Sequence, residues 1–180
     1  MKSKIEFLIV FCLVFIISSP VTASAREITV DDNSGADFVS IQEAVNNSVP
    51  GDKIIVRPGT YTENVLVNVK DLTIMSEPKN EDAQVKPLNE SVSTFMTTAD
   101  NITISGLNII GPSQDSEKNA IFVYGDMNNL TGNTIENGCI LLGPERGHNL
   151  IAENKISNGK GEEGIHISCC GFDTNTLVIV

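Results

Sequence analysis

Three segments in the second half of the chain share one pattern, in which an Asn precedes alternating apolar residues and a closing Asn-Gly or Gly. On their alignment Ile109, Ile135 and Ile156 are equivalent, and the successive equivalents stand 26 and 21 residues apart. A period in this range is typical of stacked supersecondary units, none of which buries its apolar face alone. The segments are Asn101–Gly111, Asn128–Gly138 and Asn149–Gly159, and a fourth begins at Asn175.

A second short apolar run lies between these segments, so each repeat holds two or three short strands. The runs are Ala120–Tyr124, Gly138–Leu142 and Gly164–Ser168. Side chains of a strand alternate between its two faces. We therefore expect one set to point inward and Phe122, Ile140 and His166 to point outward. The inward set is Ile121, Val123, Cys139, Leu141, Ile165 and Ile167.

Asn133 and Asn154 recur at the corner between two strands, where amide side chains of neighbouring coils can stack as a hydrogen-bonded ladder. Gly and Asn at the corners supply the left-handed backbone that sharp bends need. The pattern predicts an all-β, single-stranded right-handed parallel β-helix. A leucine-rich repeat has a similar period, but its L-x-x-L-x-L-x-x-N signature does not occur.

The first 25 residues have the pattern of a secretory signal peptide. Lys2 and Lys4 precede an apolar run from Phe7 to Ile17, and Ala23-Ser24-Ala25 supplies small residues before a cleavage site at Arg26. A retained membrane anchor is the alternative. We expect a secreted or cell-surface protein, or a periplasmic one if the host has two membranes, with one β-helix domain over 26–180.

We expect residues 26–50 to form a capping segment and residues 51–180 to form about five coils. Ser40 and Glu43 have capping-box spacing, which predicts a helix from about Ile41 to Asn47 over the open end of the solenoid. Solenoids need capped ends. The apolar run Leu177–Val180 has no polar segment behind it. Either a longer protein has been truncated there, which we expect, or the last coil pairs with something else.

The net charge of the chain limits the classes of partner that we expect. Without Lys2, Lys4 and Glu6 the chain keeps 10 basic and 22 acidic residues, a formal charge of −12. That balance argues against nucleic acid or an anionic membrane as a partner. It suits a soluble surface protein and also divalent cations.

Four N-terminal motifs stand out, at Phe38–Val45, Pro50–Val56, Pro58–Glu63 and Leu72–Ile74. They resemble motifs of pectate-lyase-like β-helix proteins, including pectin methylesterases. The Asn-x-Ile coils are similar to the repeat of carbohydrate-binding and sugar-hydrolase proteins and of NosD-type periplasmic copper accessory proteins. The catalytic segments of pectin methylesterases do not occur, and only the turn and strand Gly59–Glu63 is shared.

The resemblance implies the fold and leaves three hypotheses for function. The first is a structural or carbohydrate-interacting surface protein without catalysis of its own, whose partner is a cell-surface polysaccharide or glycan. The second is a fragment of a polysaccharide lyase, hydrolase or esterase. The third is a NosD-like copper-binding accessory protein.

The candidate ligand-binding residues are Phe122, Tyr124, Arg146 and His148, and no catalytic residue is assigned. Phe122, with Tyr124 beside it, belongs to the outward stripe, where aromatic faces suit sugar rings. Burial under the loop from Pro112 to Lys118 explains that stripe equally well. Arg146 and His148 follow Glu145 in a loop between coils, where a base, a cation and an acid stand close in sequence.

Metal candidates fall into two groups, although no cofactor is required. His166, Cys169 and Cys170 have soft-ligand chemistry suited to copper. Asp31, Asp32 and Asp37 offer oxygen ligands to calcium, without EF-hand spacing. A solvated turn explains either group as well.

Four Asn-x-Ser/Thr sequons are candidate sites of N-glycosylation in a host with the required enzymes. Because turns favour Asn, Ser and Thr, such motifs also arise by chance in a β-helix. The sequons begin at Asn46, Asn89, Asn101 and Asn129.

The signal-peptide hypothesis predicts the N-terminus of the exported protein. We expect N-terminal sequencing and intact-mass measurement of the protein recovered from outside the cell to give a chain that begins at Arg26. A membrane-bound product that still begins at Met1 would support the retained anchor instead.

Overall fold

The computed structural model describes residues 25–77, 83–113, 119–144 and 147–157, and the strands at 165–167 and 177–179, of which only Ile165 has a described side chain. Within these residues the chain forms short strands and one helix. They are β1 Glu27–Val30, α1 Ile41–Asn46, β2 Lys53–Val56, β3 Gly59–Thr62, β4 Val65–Val67, β5 Thr73–Ser76, β6 Ala83–Lys86, β7 Phe95–Thr97, β8 Thr103–Ser105, β9 Asn108–Ile110, β10 Ile121–Val123, β11 Asn129–Thr131, β12 Thr134–Glu136, β13 Ile140–Leu142, β14 Leu150–Ala152, β15 Lys155–Ser157, β16 Ile165–Ile167 and β17 Leu177–Ile179.

The strands form three parallel sheets, and successive coils add one strand to each. Sheet A has the order β1-β2-β5-β8-β11-β14-β17, sheet B the order β15-β12-β9-β6-β3, and sheet C the order β16-β13-β10-β7-β4. Connections between parallel strands of one sheet are right-handed in nearly all proteins. The predicted right-handed parallel β-helix is confirmed.

Apolar residues stack in columns through the centre of the coils. In sheet A, Ile54, Ile74, Ile104 and Leu130 are in register and at most 1% exposed. In sheet B the predicted equivalence of Ile109 with Ile135 and Ile156 is confirmed. Each fully buried aliphatic side chain adds about 1.5–3 kcal/mol of hydrophobic stabilisation, so the columns drive the stacking.

The predicted parity of one strand is wrong. Ile140 and Leu142 are buried in β13, whereas Leu141 is half-buried and pairs with Phe122, so Leu141 and not Ile140 belongs to the outward stripe. Cys139 precedes the strand, is half-buried, and donates its thiol to Asn119 Oδ1 at 2.9 Å. The predicted alternation was shifted by one residue. Because the side chains of a strand alternate with a period of two, a shift of one residue exchanges the inward and outward faces.

An asparagine ladder joins the coils where sheet A turns into sheet B, as predicted. Asn133 is 1% exposed, and its Oδ1 accepts the backbone N–H of Leu107 at 3.1 Å. Its Nδ2 donates to Ile104 O at 2.9 Å and to Asn154 Oδ1 at 3.0 Å. Asn154 repeats the pattern by accepting the N–H of Asn133. The amides satisfy buried backbone groups that the corner leaves outside the strand pairing.

A second asparagine ladder precedes sheet A. Asn128 Oδ1 accepts the N–H of Ile102, and Asn149 Oδ1 accepts the N–H of Asn128, both at 2.8 Å. The residue before each ladder asparagine has a left-handed backbone, with φ of 57° at Met127 and 58° at His148. Asn101, at the equivalent position of the preceding coil, has φ of 57°. The sharp turn from sheet C to sheet A therefore repeats with nearly the same geometry in successive coils.

The helix α1 covers the N-terminal end of the coils, as expected. It buries Ile41, Ala44 and Val45 against β1, β2 and β4. The Ser40 hydroxyl accepts the N–H of Glu43 at 3.3 Å. Glu43 was expected to reach back to the helix start, but Glu63 from the next coil accepts the N–H groups of Ile41 and Gln42 instead. A carboxylate suits the positive end of the helix dipole.

Gln42 covers the exposed edge of sheet C. Its side-chain oxygen accepts the N–H of Leu66 at 2.6 Å, and its side-chain nitrogen donates to Leu66 O at 3.2 Å. The amide thereby replaces the missing neighbouring strand of β4. A strand edge with open hydrogen-bonding groups can pair with other chains, and this contact occupies both backbone groups of Leu66 at that edge.

The motif Gly59–Glu63 has a structural explanation residue by residue. A Cβ at Gly59 would lie 2.6 Å from the Asp32 carboxylate, which accepts the N–H of Thr60 at 2.8 Å. Tyr61 is 3% exposed and donates its hydroxyl to Arg57 O at 2.8 Å. Burial raises the pKa of Tyr61 to about 12, and the nearby Asp32 and Asp31 charges add to the effect. With Glu63 on the helix, the motif joins the cap to the first coils.

The ladder makes a quantitative prediction for stability. Asn133→Ala removes three hydrogen bonds and leaves buried backbone groups without a partner. The free energy of unfolding should therefore fall by about 2–4 kcal/mol. Urea unfolding followed by far-ultraviolet circular dichroism measures the change. Asn68→Ala, at an exposed position directly after β4, is the matched control and should stay within about 0.5 kcal/mol. Equal midpoints for the two variants would contradict the proposed role of the ladder.

Candidate ligand-binding face

An apolar column runs along the outer face of sheet C. Leu66, Met96, Phe122 and Leu141 pair in register on β4, β7, β10 and β13. Leu66 is 41% exposed, and the other three are half-buried. The register places His166 on the next rung. At the ordinary strand separation, five rungs extend about 19 Å along the solenoid axis.

Phe122 and Tyr124 form the aromatic centre of this face. Their ring centroids are 5.9 Å apart and the ring planes meet at 77°, an edge-to-face arrangement. Tyr124 is 41% exposed. A Cβ on Gly143 would lie 2.7 Å from the Tyr124 ring. The ring can pack at this position because Gly143 has no side chain. The pair therefore combines a half-buried ring, Phe122, with an exposed one, Tyr124.

A polar column borders the apolar one. Continuing the strand register by one residue aligns Asn68, Thr98, Tyr124 and Gly143. Asn68 and Thr98 are exposed. Amide and hydroxyl groups beside an aromatic and aliphatic surface match a sugar, whose ring has apolar C–H patches and a rim of hydroxyl groups. We call the two columns together the sheet C face.

The other two ligand candidates, Arg146 and His148, follow β13 in the chain. Arg146 lies outside the described residues, as does Glu145. His148 is exposed in the turn between β13 and β14, with φ of 58°. It occupies the left-handed corner position of Asn101 and Met127, so its backbone has a turn-forming role.

The proposed copper ligands lie largely outside the described residues. Cys169 and Cys170 fall there, and His166 is placed only by its backbone in β16. Across the part of the chain that the structure describes, no three His, Cys, Asp or Glu side chains come together as a metal-binding group. The copper hypothesis stays a prediction.

The aspartates considered for calcium each have a structural partner. Asp31 accepts the N–H of Asn33 at 2.9 Å, and this bond is the main cause that lowers its pKa, with Arg57 adding to it. Asp37 accepts the N–H and the hydroxyl of Thr29, both at 2.8 Å, which lowers its pKa. Asp32 accepts the N–H of Thr60. Their oxygens hold the turn after β1 together.

Sequence reasoning missed three members of the sheet C face. Leu66, Met96 and Leu141 carry no motif, and an isolated aliphatic residue predicts burial as readily as exposure. A signal existed in the spacing, because each is the middle residue of a three-residue strand whose outer residues are buried. Correct alignment of the strand centres would have found them.

Comparison with known proteins relates the chain to a surface protein. No family model matches it. A cell surface glycoprotein of Methanothermus fervidus is 38% identical over 137 residues, which is 75% of this chain and 21% of that protein. The chain therefore spans about a fifth of the length of this relative.

Solved structures agree with the fold. Pectin methylesterase from carrot superposes with a TM-score of 0.59 at 14% identity, covering 90% of this chain and 63% of the carrot chain. At this identity the similarity supports the parallel β-helix and nothing about activity. Separately, among the described residues no helix has the length and apolar character needed to cross a membrane.

Acid should weaken the fold through Asp31, Asp37 and Asp52. Asp52 is fully buried; burial alone would raise its pKa, but hydrogen bonds from the Val49 and Arg26 N–H groups and the Arg26 side chain lower it. A lowered pKa adds stability that is complete above the unfolded pKa and is lost as the pH falls through the folded pKa. Urea unfolding should therefore show a loss of stability below about pH 4.

Two variants test how much the buried Asp52 carboxylate contributes to this acid dependence. Asp52→Asn should lower the free energy of unfolding at pH 7 by about 1–3 kcal/mol and make its decrease in acid smaller. Glu77→Gln, at an exposed position, should leave both quantities unchanged. The same acid dependence in wild type and Asp52→Asn would show that Asp52 is not responsible.

Proposed function

We propose that this pectate-lyase-like right-handed parallel β-helix is a module of a cell-surface protein and that it binds polysaccharide, without turnover, on its sheet C face. The predicted signal peptide and the similarity to a cell surface glycoprotein support the location. The pairing of Phe122 with Tyr124 supports the binding role. The module binds its glycan outside the cell.

The aromatic pair is the observation that carries the proposal. The chain has no Trp and few other aromatic residues. Exposing an aromatic ring to water is unfavourable, yet two rings meet on the outer face of sheet C. Rigid aromatic side chains lose little conformational entropy on binding, and such residues commonly dominate binding energy. The Leu66 to Leu141 column extends the contact on both sides of the pair.

The length of the face indicates the form of the ligand. Its rungs repeat at the strand separation over about 19 Å, so an extended chain of several sugar units fits better than one monosaccharide. Neutral hydroxyl and amide groups beside the apolar column do not require a charged sugar. Because the chain is strongly acidic, a neutral or weakly charged glycan would bind with less repulsion than a polyanion.

A glycan array tests this function. The exported chain should bind a subset of polysaccharide fragments with and without calcium, and no product should be released from the glycans that bind. Phe122→Ala and Tyr124→Ala should each weaken binding about tenfold or more, which corresponds to about 1.4 kcal/mol. Gly143→Ala should also weaken binding, because its methyl group displaces the Tyr124 ring.

Val49→Ala is the matched control, since Val49 is 40% exposed in the N-terminal turn, away from sheet C. It should bind like the wild type, and circular dichroism should show the same fold for all variants. Product release from a bound glycan would favour the enzyme-fragment hypothesis. Binding that survives both aromatic substitutions would move the ligand site away from the sheet C face, and binding to no glycan would reject the proposal.

A further inference from the structure

One sequon lies in an exposed loop whose geometry suits modification. Asn89 belongs to the segment between β6 and β7, where Leu88 is 73% exposed, Asn89 and Ser91 are exposed, and Val92 is 41% exposed. The Asn89 side-chain oxygen accepts the N–H of Ser91 at 2.9 Å. This Asx-turn joins the two essential residues of the sequon. This hydrogen bond uses the side-chain oxygen of Asn89 and not the nitrogen that would carry a glycan.

The backbone of this loop is fixed from the neighbouring coil. Asn64 Oδ1 accepts the N–H of Asn89 at 2.7 Å, and Asn64 Nδ2 donates to Asn89 O at 3.1 Å. The same Nδ2 lies 3.1 Å from Ser93 O. These bonds use the backbone of Asn89 and not its amide nitrogen, so the loop presents a defined and accessible acceptor in the folded chain.

We propose that Asn89 is a site of N-linked glycosylation, and that the other three sequons are not acceptors in the folded protein. The inference does not depend on the proposed function, since it concerns a glycan attached to this chain and not one bound by it. An attached glycan would cover Leu88 and Val92, two exposed apolar residues of this loop.

The Asn46 sequon is held in a helical turn. Asn46 is the last residue of α1, and its Oδ1 accepts Gln42 Nε2 at 3.0 Å. The sequon hydroxyl, on Ser48, donates to Val45 O at 2.8 Å. Neither group adopts the Asx-turn of the Asn89 loop. A transferase would have to unwind the end of the capping helix to use this site.

The remaining two sequons are part of the coils. Asn101 has φ of 57° and donates its Nδ2 to Asp71 Oδ1 at 2.8 Å, so the nitrogen that would be modified is engaged. Asn129 lies in β11, half-buried, with a buried Oδ1. Their hydroxyl residues, Thr103 and Thr131, are half-buried in strands β8 and β11. Modification at either site would require opening of sheet A.

The chemistry needs a lipid-linked oligosaccharide donor and an oligosaccharyltransferase. The Asn89 amide nitrogen forms a bond to the anomeric carbon of the first sugar. The bond from that carbon to the lipid phosphate oxygen breaks, and the lipid phosphate or pyrophosphate leaves with the electron pair. One amide proton passes to a base of the transferase. The product is a neutral N-glycosidic amide on the loop.

The test compares folded and unfolded acceptors. The exported chain, folded or denatured, is incubated with a single-subunit oligosaccharyltransferase that accepts Asn-x-Ser/Thr and with its lipid-linked oligosaccharide, and mass spectrometry of the peptides maps the occupied sites. We expect occupancy at Asn89 in the folded chain, at least tenfold above that at any other sequon. The denatured chain should be modified at additional sequons.

Three variants sharpen the result. Asn89→Gln and Ser91→Ala should each abolish modification of the folded chain. Asn46→Gln should leave the glycan occupancy of Asn89 in the folded chain unchanged. The proposal is overturned if Asn89 stays unmodified in the folded chain while the denatured chain accepts the glycan there. It is also overturned if Asn46, Asn101 or Asn129 reaches an occupancy comparable to that of Asn89 in the folded chain.

Discussion

Parallel hydrogen bonding between successive coils is the constraint on which the rest of this structure depends. It holds each residue directly over its equivalent in the next coil, so inward positions become continuous apolar columns and outward positions become continuous surface stripes. A polar residue at an inward position would lie against an apolar residue in the coil above and another in the coil below. Ile, Leu and Val therefore predominate in the centre, although Ser76 and Thr97 are also buried at inward positions.

The corners satisfy the backbone groups that the sheets leave unpaired. Asn133 and Asn154 do this on one side of sheet A, and Asn128 and Asn149 do it on the other. Each amide bonds to the coil above or below it, so the ladders transmit the register around the bends. The same repetition aligns Leu66, Met96, Phe122 and Leu141 on the sheet C face, so single residues of short strands form one long apolar stripe.

The N-terminal cap shows why a shared motif need not mean shared chemistry. Within Gly59–Glu63, Tyr61 anchors the turn, and Glu63 binds the start of α1. Gln42 then closes the edge of sheet C. All these residues are used to begin a solenoid, a requirement that β-helix proteins share whatever they bind. The pectin methylesterase resemblance is accordingly explained by the fold.

The sequence by itself determined the parallel β-helix, the equivalence of Ile109, Ile135 and Ile156 and the asparagine ladder, because a repeated pattern reports directly on stacking. Of the candidate site it identified Phe122 and Tyr124. It placed Ile140 outward and assigned the helix start to Glu43, and both assignments were wrong. Only the tertiary structure decided these points, since strand parity and side-chain partners depend on how coils distant in sequence align in space.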